Sequence, residues 1–170
     1  MGVPFYNLTV PVFVRAFANL SAILKIAEAH AKTNNIDPST LLEARLYPDM
    51  ASLPFQIQRC SDSAKLAAVR LSGAENVSMA DTETTFEQLH ERIQKTVDFL
   101  QATDEKAWEG KETFLVNFRM GPIEKTYSGE RYMLEFALPN FFFHVTTAYD
   151  ILRSKGVPIG KMQYLAGGFM

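Results

Sequence analysis

Phe13, Phe17, Leu20, Leu24, Ala27 and Ala31 follow one another in alternating steps of four and three. Steps of three throw a strand's side chains onto opposite faces, but the alternation keeps one face of a helix, so residues 8 to 33 are predicted to form a long amphipathic helix. A stripe of this kind is stable only when other helices cover it. Met50, Leu53, Ile57, Cys60, Ala64, Ala67 and Leu71 repeat the spacing and place a second helix over Asp49 to Ser72. Phe86, Leu89, Ile93, Val97 and Leu100 mark a third, opened by Thr84 and Glu87 as a capping box and carrying a Glu91 and Lys95 pair on its wet side.

Breaks separate the stripes. "NNIDPS" ends the first helix, and Asp37 followed by Pro38 reads as an N-cap with proline at the first helical position of a short piece reaching Leu46. Residues 73 to 81 read as a loop. Beyond Asp104 the period changes, with Phe114, Val116 and Phe118 alternating before Gly121 and Pro122 and a second extended run, which predicts a hairpin. Ser128 then caps a last helix ending near Gly156, Val157 and Pro158. The predicted fold is all-α: four long helices in one bundle, with a small β-hairpin between helices three and four, in one domain over residues 1–170.

With 47% apolar and 21% charged residues and a formal net charge of −2, the chain has a globular composition with no basic stripe to neutralise phosphates, so no nucleic-acid partner is expected. The lone Cys60 excludes an intramolecular disulfide and a cysteine zinc cluster, and its place on the Leu53, Ile57 and Ala64 stripe makes it a small core filler. No run approaches the ~20 uninterrupted apolar residues of a membrane span. "MGVPFYNLTV" lacks the regions of a signal peptide, and Tyr6 stands where a myristoylation motif takes Ser or Thr. A cytoplasmic protein with no membrane partner is expected.

The most apolar passage, "LEFALPNFFFHVTTAYDIL", carries Pro139, Asn140 and His144 in its middle. Proline inside a helix removes a backbone bond to residue 135 and crowds that turn, which predicts a kink and leaves carbonyls for Asn140 to serve. Asn140 and His144 are four apart and share a face. They either satisfy the core, with Thr147 and Tyr149 as neighbours, or line a pocket. Asp49 has the same two readings: an N-cap of the second helix, or a carboxylate beside Arg45 at the open end of the bundle.

"ALPNFFFHVTTAYDILRSKGVPIGK", "LLEARLYPDM" and "QIQRCSDSAK" resemble a family catalogued as a domain of unknown function within the DinB/YfiT-like bundle superfamily, over nearly the whole chain. The resemblance implies a four-helix bundle, often dimeric, with a site between the second and fourth helices. DinB-like relatives hold a divalent metal there through one histidine on helix two and a His-x-x-x-His pair on helix four. His144 matches the first of that pair, but position 148 is Ala148, and helix two presents Gln56, Gln58, Arg59 and Asp62 with no histidine. His30 ends the first helix, and His90 is expected at the surface of the third, so no metal or other cofactor is expected.

The expected pocket joins His144 and Asn140 with Gln56, Gln58 or Asp62, and with walls drawn from the 13 phenylalanines. It suits a small apolar or aromatic molecule held by a few polar groups. As an enzyme it would be cofactor-free, with His144 the acid and base and Asn140 or a glutamine polarising an oxygen during isomerisation, dehydration or cyclisation of a carbonyl compound. Gln56, Gln58, Asp62, Asp49, Arg45 and Tyr149 are the expected substrate contacts. The alternatives are a non-catalytic binding or structural dimeric bundle, and a DinB-like metal-dependent transferase. A homodimer is expected, because Leu134, Leu138, Phe141, Val145, Ala148 and Leu152 form one apolar stripe of the last helix and Phe136, Phe143 and Ile151 another.

Overall fold

The computed structural model describes residues 2–169; Met1, considered above with the N-terminal signals, and Met170 lie outside the described residues. Helix α1 runs Val10–Thr33, with Pro11 in its first turn. Helix α2, Pro38–Leu42, is shorter than expected; the Asp37 carboxylate caps it by accepting from the Ser39 amide at 2.9 Å. Helix α3 covers Leu53–Ser72 and stops at Gly73, whose φ of 76° is a left-handed conformation that glycine adopts without strain. Helix α4 covers Phe86–Gln101.

Strands β1, Leu115–Met120, and β2, Ile123–Ser128, form an antiparallel pair in which Val116 faces Tyr127 and Phe118 faces Lys125. The last long helix comes in three pieces: α5 at Gly129–Tyr132, a π turn at Met133–Ala137, and α6 at Leu138–Ser154. Helix α7, Lys161–Ala166, and a 3-10 turn at Gly167–Phe169 return along α1. The predicted all-α bundle with its hairpin between the third and fourth long helices is what the chain forms.

Two predicted starts are corrected. Helix α3 begins at Leu53 behind Ser52 rather than at Asp49, because Pro54 fits the first turn and residues 43–52 fold as a loop of their own. The capping box of α4 is Thr85 with Gln88, one residue beyond the expected pair: the Thr85 hydroxyl accepts from the Gln88 amide at 3.2 Å, and Gln88 Oε1 accepts from the Thr85 amide at 3.2 Å. The expected membrane reading also changes. Phe5–Thr33 is long and apolar enough to cross a bilayer by length and composition. Its inward stripe, Phe13, Phe17, Leu20, Leu24 and Ala27, is nevertheless fully buried among the other helices, as in the core helix of a bundle.

The centre of the core is aromatic. Phe141 of α6 meets Phe13 and Phe17 of α1 edge-on, with ring centroids 4.8 and 5.2 Å apart, an arrangement favoured by the ring quadrupoles. Phe141, Val145, Ala148, Ile151 and Leu152 are covered by the chain itself. Of the two stripes on which the expectation of a second chain rested most directly, Leu134 and Phe143 are exposed, at 58% and 57%, and Phe136 and Leu138 half-buried.

Candidate functional site

The site is the cleft between α3 and α6, the helices that pack together most extensively. Their antiparallel approach sets Gln56 opposite His144 and Ser63 opposite Asn140, and beyond the π turn Arg70 meets Tyr132 of α5.

Gln56 fixes the state of His144. Its amide nitrogen donates to the Ala51 carbonyl at 3.0 Å, so its Oε1 faces the ring and accepts from His144 Nδ1 at 2.8 Å. The proton therefore sits on Nδ1, and Nε2 carries a lone pair with no hydrogen-bond partner among the described residues. Burial, with help from the Arg59 charge, pulls the imidazole down from 6.5 to about 4, so it is neutral at physiological pH. Phe55 and Phe143 flank the ring edge-on, with centroids at 6.3 and 5.1 Å.

Farther along the cleft lies a cavity of about 190 Å³. Its lining includes the polar Arg59, Asp62, Arg70, Arg119, Tyr132 and Asn140 and the apolar Leu66, Phe136 and Ala137. Arg59 joins the two stations: it lines the cavity, lies 5.1 Å over the Phe55 ring, and is the charge felt at His144. Asn140 Nδ2 donates to Ser63 Oγ at 2.7 Å, which in turn donates to the Arg59 carbonyl at 2.7 Å.

Pro139 explains how α6 presents this wall. Its ring would clash in a regular helix, and it has no N–H to give. The expected accommodation takes the form of the π turn, in which the Leu138 amide reaches back five residues to the Met133 carbonyl. Tyr132, Phe136, Ala137 and Asn140 then face the same cavity. The hairpin closes its far end: Phe118 packs on Tyr132 and Phe136 at 5.0 and 4.6 Å, and Arg119 reaches the cavity.

Of the expected site residues, Asn140 and Asp62 line this cavity, while His144 and Gln56 pair with each other elsewhere along the α3–α6 cleft, outside the cavity's lining, and the rest are set apart from it. Gln58 points to the opposite side of α3 and donates to Glu83 at 2.9 Å. Asp49 is exposed and does not cap α3, which starts four residues later. Arg45 donates to the Met50 carbonyl at 2.6 Å and steadies the loop before α3. Tyr149 stacks edge-on with Tyr164 of α7 at 5.8 Å. His90 is not the surface residue expected: it is half-buried, its Nδ1 is 3.0 Å from Ser21 Oγ, and burial lowers its pKa. Arg70, Arg119 and Tyr132 were missed. An arginine on a helix's mixed face carries no local signal, and the hairpin's docking is set by non-local contacts.

Asp62 belongs as much to a second feature. It meets Arg59, Lys65 and Arg92 at 3.0, 3.7 and 3.3 Å, and the buried Arg92 also pairs with Asp81 at 3.0 Å and Glu83 at 2.9 Å. Arg59 also pairs with Asp81, and Lys65 donates to the Val77 carbonyl at 2.7 Å. Residues 74–85, which have no helix or strand, are thereby strapped across α3 and α4. Burial alone would raise Glu83, but hydrogen bonds from Arg92 and Gln58 hold its carboxyl below the usual range.

A DinB-type metal does not fit the donors present. His144 offers one nitrogen, Gln56 is already engaged through both ends of its amide, and the next turn of α6 presents buried Ala148. Among the described residues no three His, Cys, Asp or Glu side chains are grouped so that they could hold a metal ion.

A family described as "Domain of unknown function (DUF1993)" matches residues 5–165. A crystal structure of a DinB family member protein from Shewanella denitrificans is similar over 94% of this chain and 90% of that one, with 36% sequence identity and a TM-score of 0.88. No curated protein matches. The extent of the family match, together with an α3–α6 cleft on a DinB-like bundle, establishes that the chain belongs to the DUF1993 family.

Proposed function

We propose that this protein binds a small apolar or aromatic molecule, bearing at least one oxygen acceptor, in the cleft between α3 and α6. The observation that carries the reading is the 190 Å³ cavity, whose lining combines the apolar Leu66, Phe136 and Ala137 with hydrogen-bond donors from Arg59, Arg70, Arg119, Tyr132 and Asn140. Larger concavities occur elsewhere, about 620 Å³ along the 77–83 segment and about 770 Å³ between α1 and α4, outside the α3–α6 cleft.

Binding is favoured over acid and base catalysis because an imidazole held near 4 is a weak base and, at neutral pH, no proton donor through Nε2. Its fixed lone pair is suited to accept a hydrogen bond from a ligand. The same lone pair supports one second reading, a cofactor-free enzyme in which His144 takes a proton from a carbonyl compound held by Asn140.

Thermal-shift titration with neutral aromatic alcohols and ketones tests the proposal. Wild type is expected to melt higher with rising ligand, and Asn140→Leu to lose the effect. Absence of any shift in wild type, with these compounds and with aromatic acids alike, would reject the function. Turnover of a bound compound that vanishes in His144→Gln while binding persists would establish the enzymatic reading instead.

A further inference from the structure

We infer that the cavity between α3 and α6 is a carboxylate subsite in which Arg70 and Tyr132 hold the anion. The inference rests on the binding function proposed above and names its ligand class, a small aromatic or aliphatic monocarboxylate.

The three arginines on the cavity wall are not equivalent. Arg59 is neutralised by Asp62 and Asp81, and Arg119 by Glu124 at 3.1 Å. Arg70 has no carboxylate partner among the described residues; its guanidinium donates to the Tyr132 hydroxyl at 2.7 Å and lies 5.6 Å from that ring's centroid. An arginine left with free, fork-shaped donors beside a cavity matches the geometry of a carboxylate.

Tyr132 supplies the second observation. Its side chain is 1% exposed, its oxygen accepts from Arg70, and its own hydroxyl proton has no acceptor among the described residues. A buried donor left unmade is unfavourable, and an anion on Arg70 would satisfy it. Asn140 adds an amide N–H beyond the one given to Ser63. The wall's one carboxylate, Asp62, is already engaged by Arg59, Lys65 and Arg92, so donors exceed acceptors.

One uncompensated cation matches a monoanion better than a phosphate dianion. Leu66, Phe136 and Ala137 complete the site with an apolar wall. At 190 Å³ the cavity holds about one ring, since an apolar cavity of ~150 Å³ accommodates benzene.

The test is calorimetric titration of the full chain with benzoate, its neutral isostere benzamide, and inorganic phosphate. Benzoate is expected to bind at least about tenfold tighter than benzamide or phosphate, and Arg70→Gln to weaken benzoate by about tenfold or more and benzamide by much less. Tyr132→Phe, which keeps the ring and its packing, is expected to weaken benzoate several-fold; it serves as a second variant if Arg70→Gln folds poorly. Equal binding of benzoate and benzamide, indifferent to both substitutions, would overturn the carboxylate subsite and leave cleft binding standing. Phosphate tighter than benzoate would overturn the monoanion assignment. Binding of none of the three, with neutral aromatic alcohols and ketones also silent, would reject the binding function itself.

Discussion

Lowering the pH from 7 to 5 should destabilise the wild-type protein through His144. The imidazole is held near 4 in the folded state against 6.5 in an unfolded chain, so between those values the unfolded state binds the extra proton. Stability contributed by the neutral ring is present above the unfolded value and is lost as pH falls toward the folded one. Taken at face value, the two pKa values correspond to about 2 kcal/mol lost between pH 7 and 5. His144 is only half-buried, and solvent screening of the charged form reduces this to about 1 kcal/mol.

The assay is urea denaturation at pH 7, 6 and 5 of wild type and His144→Gln, which retains a donor for Gln56 Oε1. Contributions from groups other than His144 cancel in the difference between the two proteins. The variant is expected to lose about 1 kcal/mol less than wild type over the window. Equal losses, or an imidazole NMR titration that puts His144 at or above 6.5, would refute the burial argument.

Arg92→Ala removes the buried guanidinium that Asp62, Asp81 and Glu83 share; a loss of about 2–4 kcal/mol is expected, with faster amide exchange over residues 74–85, and unchanged exchange there would contradict the strap. In Gly129→Ala the new Cβ would overlap the Lys111 carbonyl oxygen and lie 2.9 Å from Leu71 Cδ2. The backbone must shift, and a melting temperature within a degree of wild type would show that the close approach is absent. Cys60 is fully buried and burial pushes its thiol up, so Ellman's reagent should label it only after denaturation; rapid labelling of the native protein would disprove its core placement. A homodimer, drawing on exposed Phe143 and Leu134, predicts light scattering at twice the chain's 19.1 kDa, and a monomer value at micromolar concentration would reject it.

The stripes of α1, α3 and α4 were legible because helical periodicity is local: Phe13, Phe17 and Leu20 share a face whatever lies opposite them. The hairpin was legible for the same reason, from Val116 and Phe118 alternating before Gly121, whose φ is 60°. Boundaries were read less well. Ser, Thr and Asp stand near several helix starts, and whether Asp49 or Ser52 opens α3 depends on how the preceding loop packs. Helix α7 gave no stripe, since its six residues bury none of their side chains fully, and the segment is held from α1 instead, where Asn19 accepts the Gly168 amide at 3.0 Å. The site divides along the same line. Residue type and spacing marked Pro139, Asn140 and His144 on one helix, but the Gln56 amide that sets the imidazole's tautomer, the Arg70 that meets Tyr132, and the Arg119 that lines the cavity are far away along the chain. Their meeting is decided by how α3, α6 and the hairpin pack, because distance along a sequence says nothing of distance across a core.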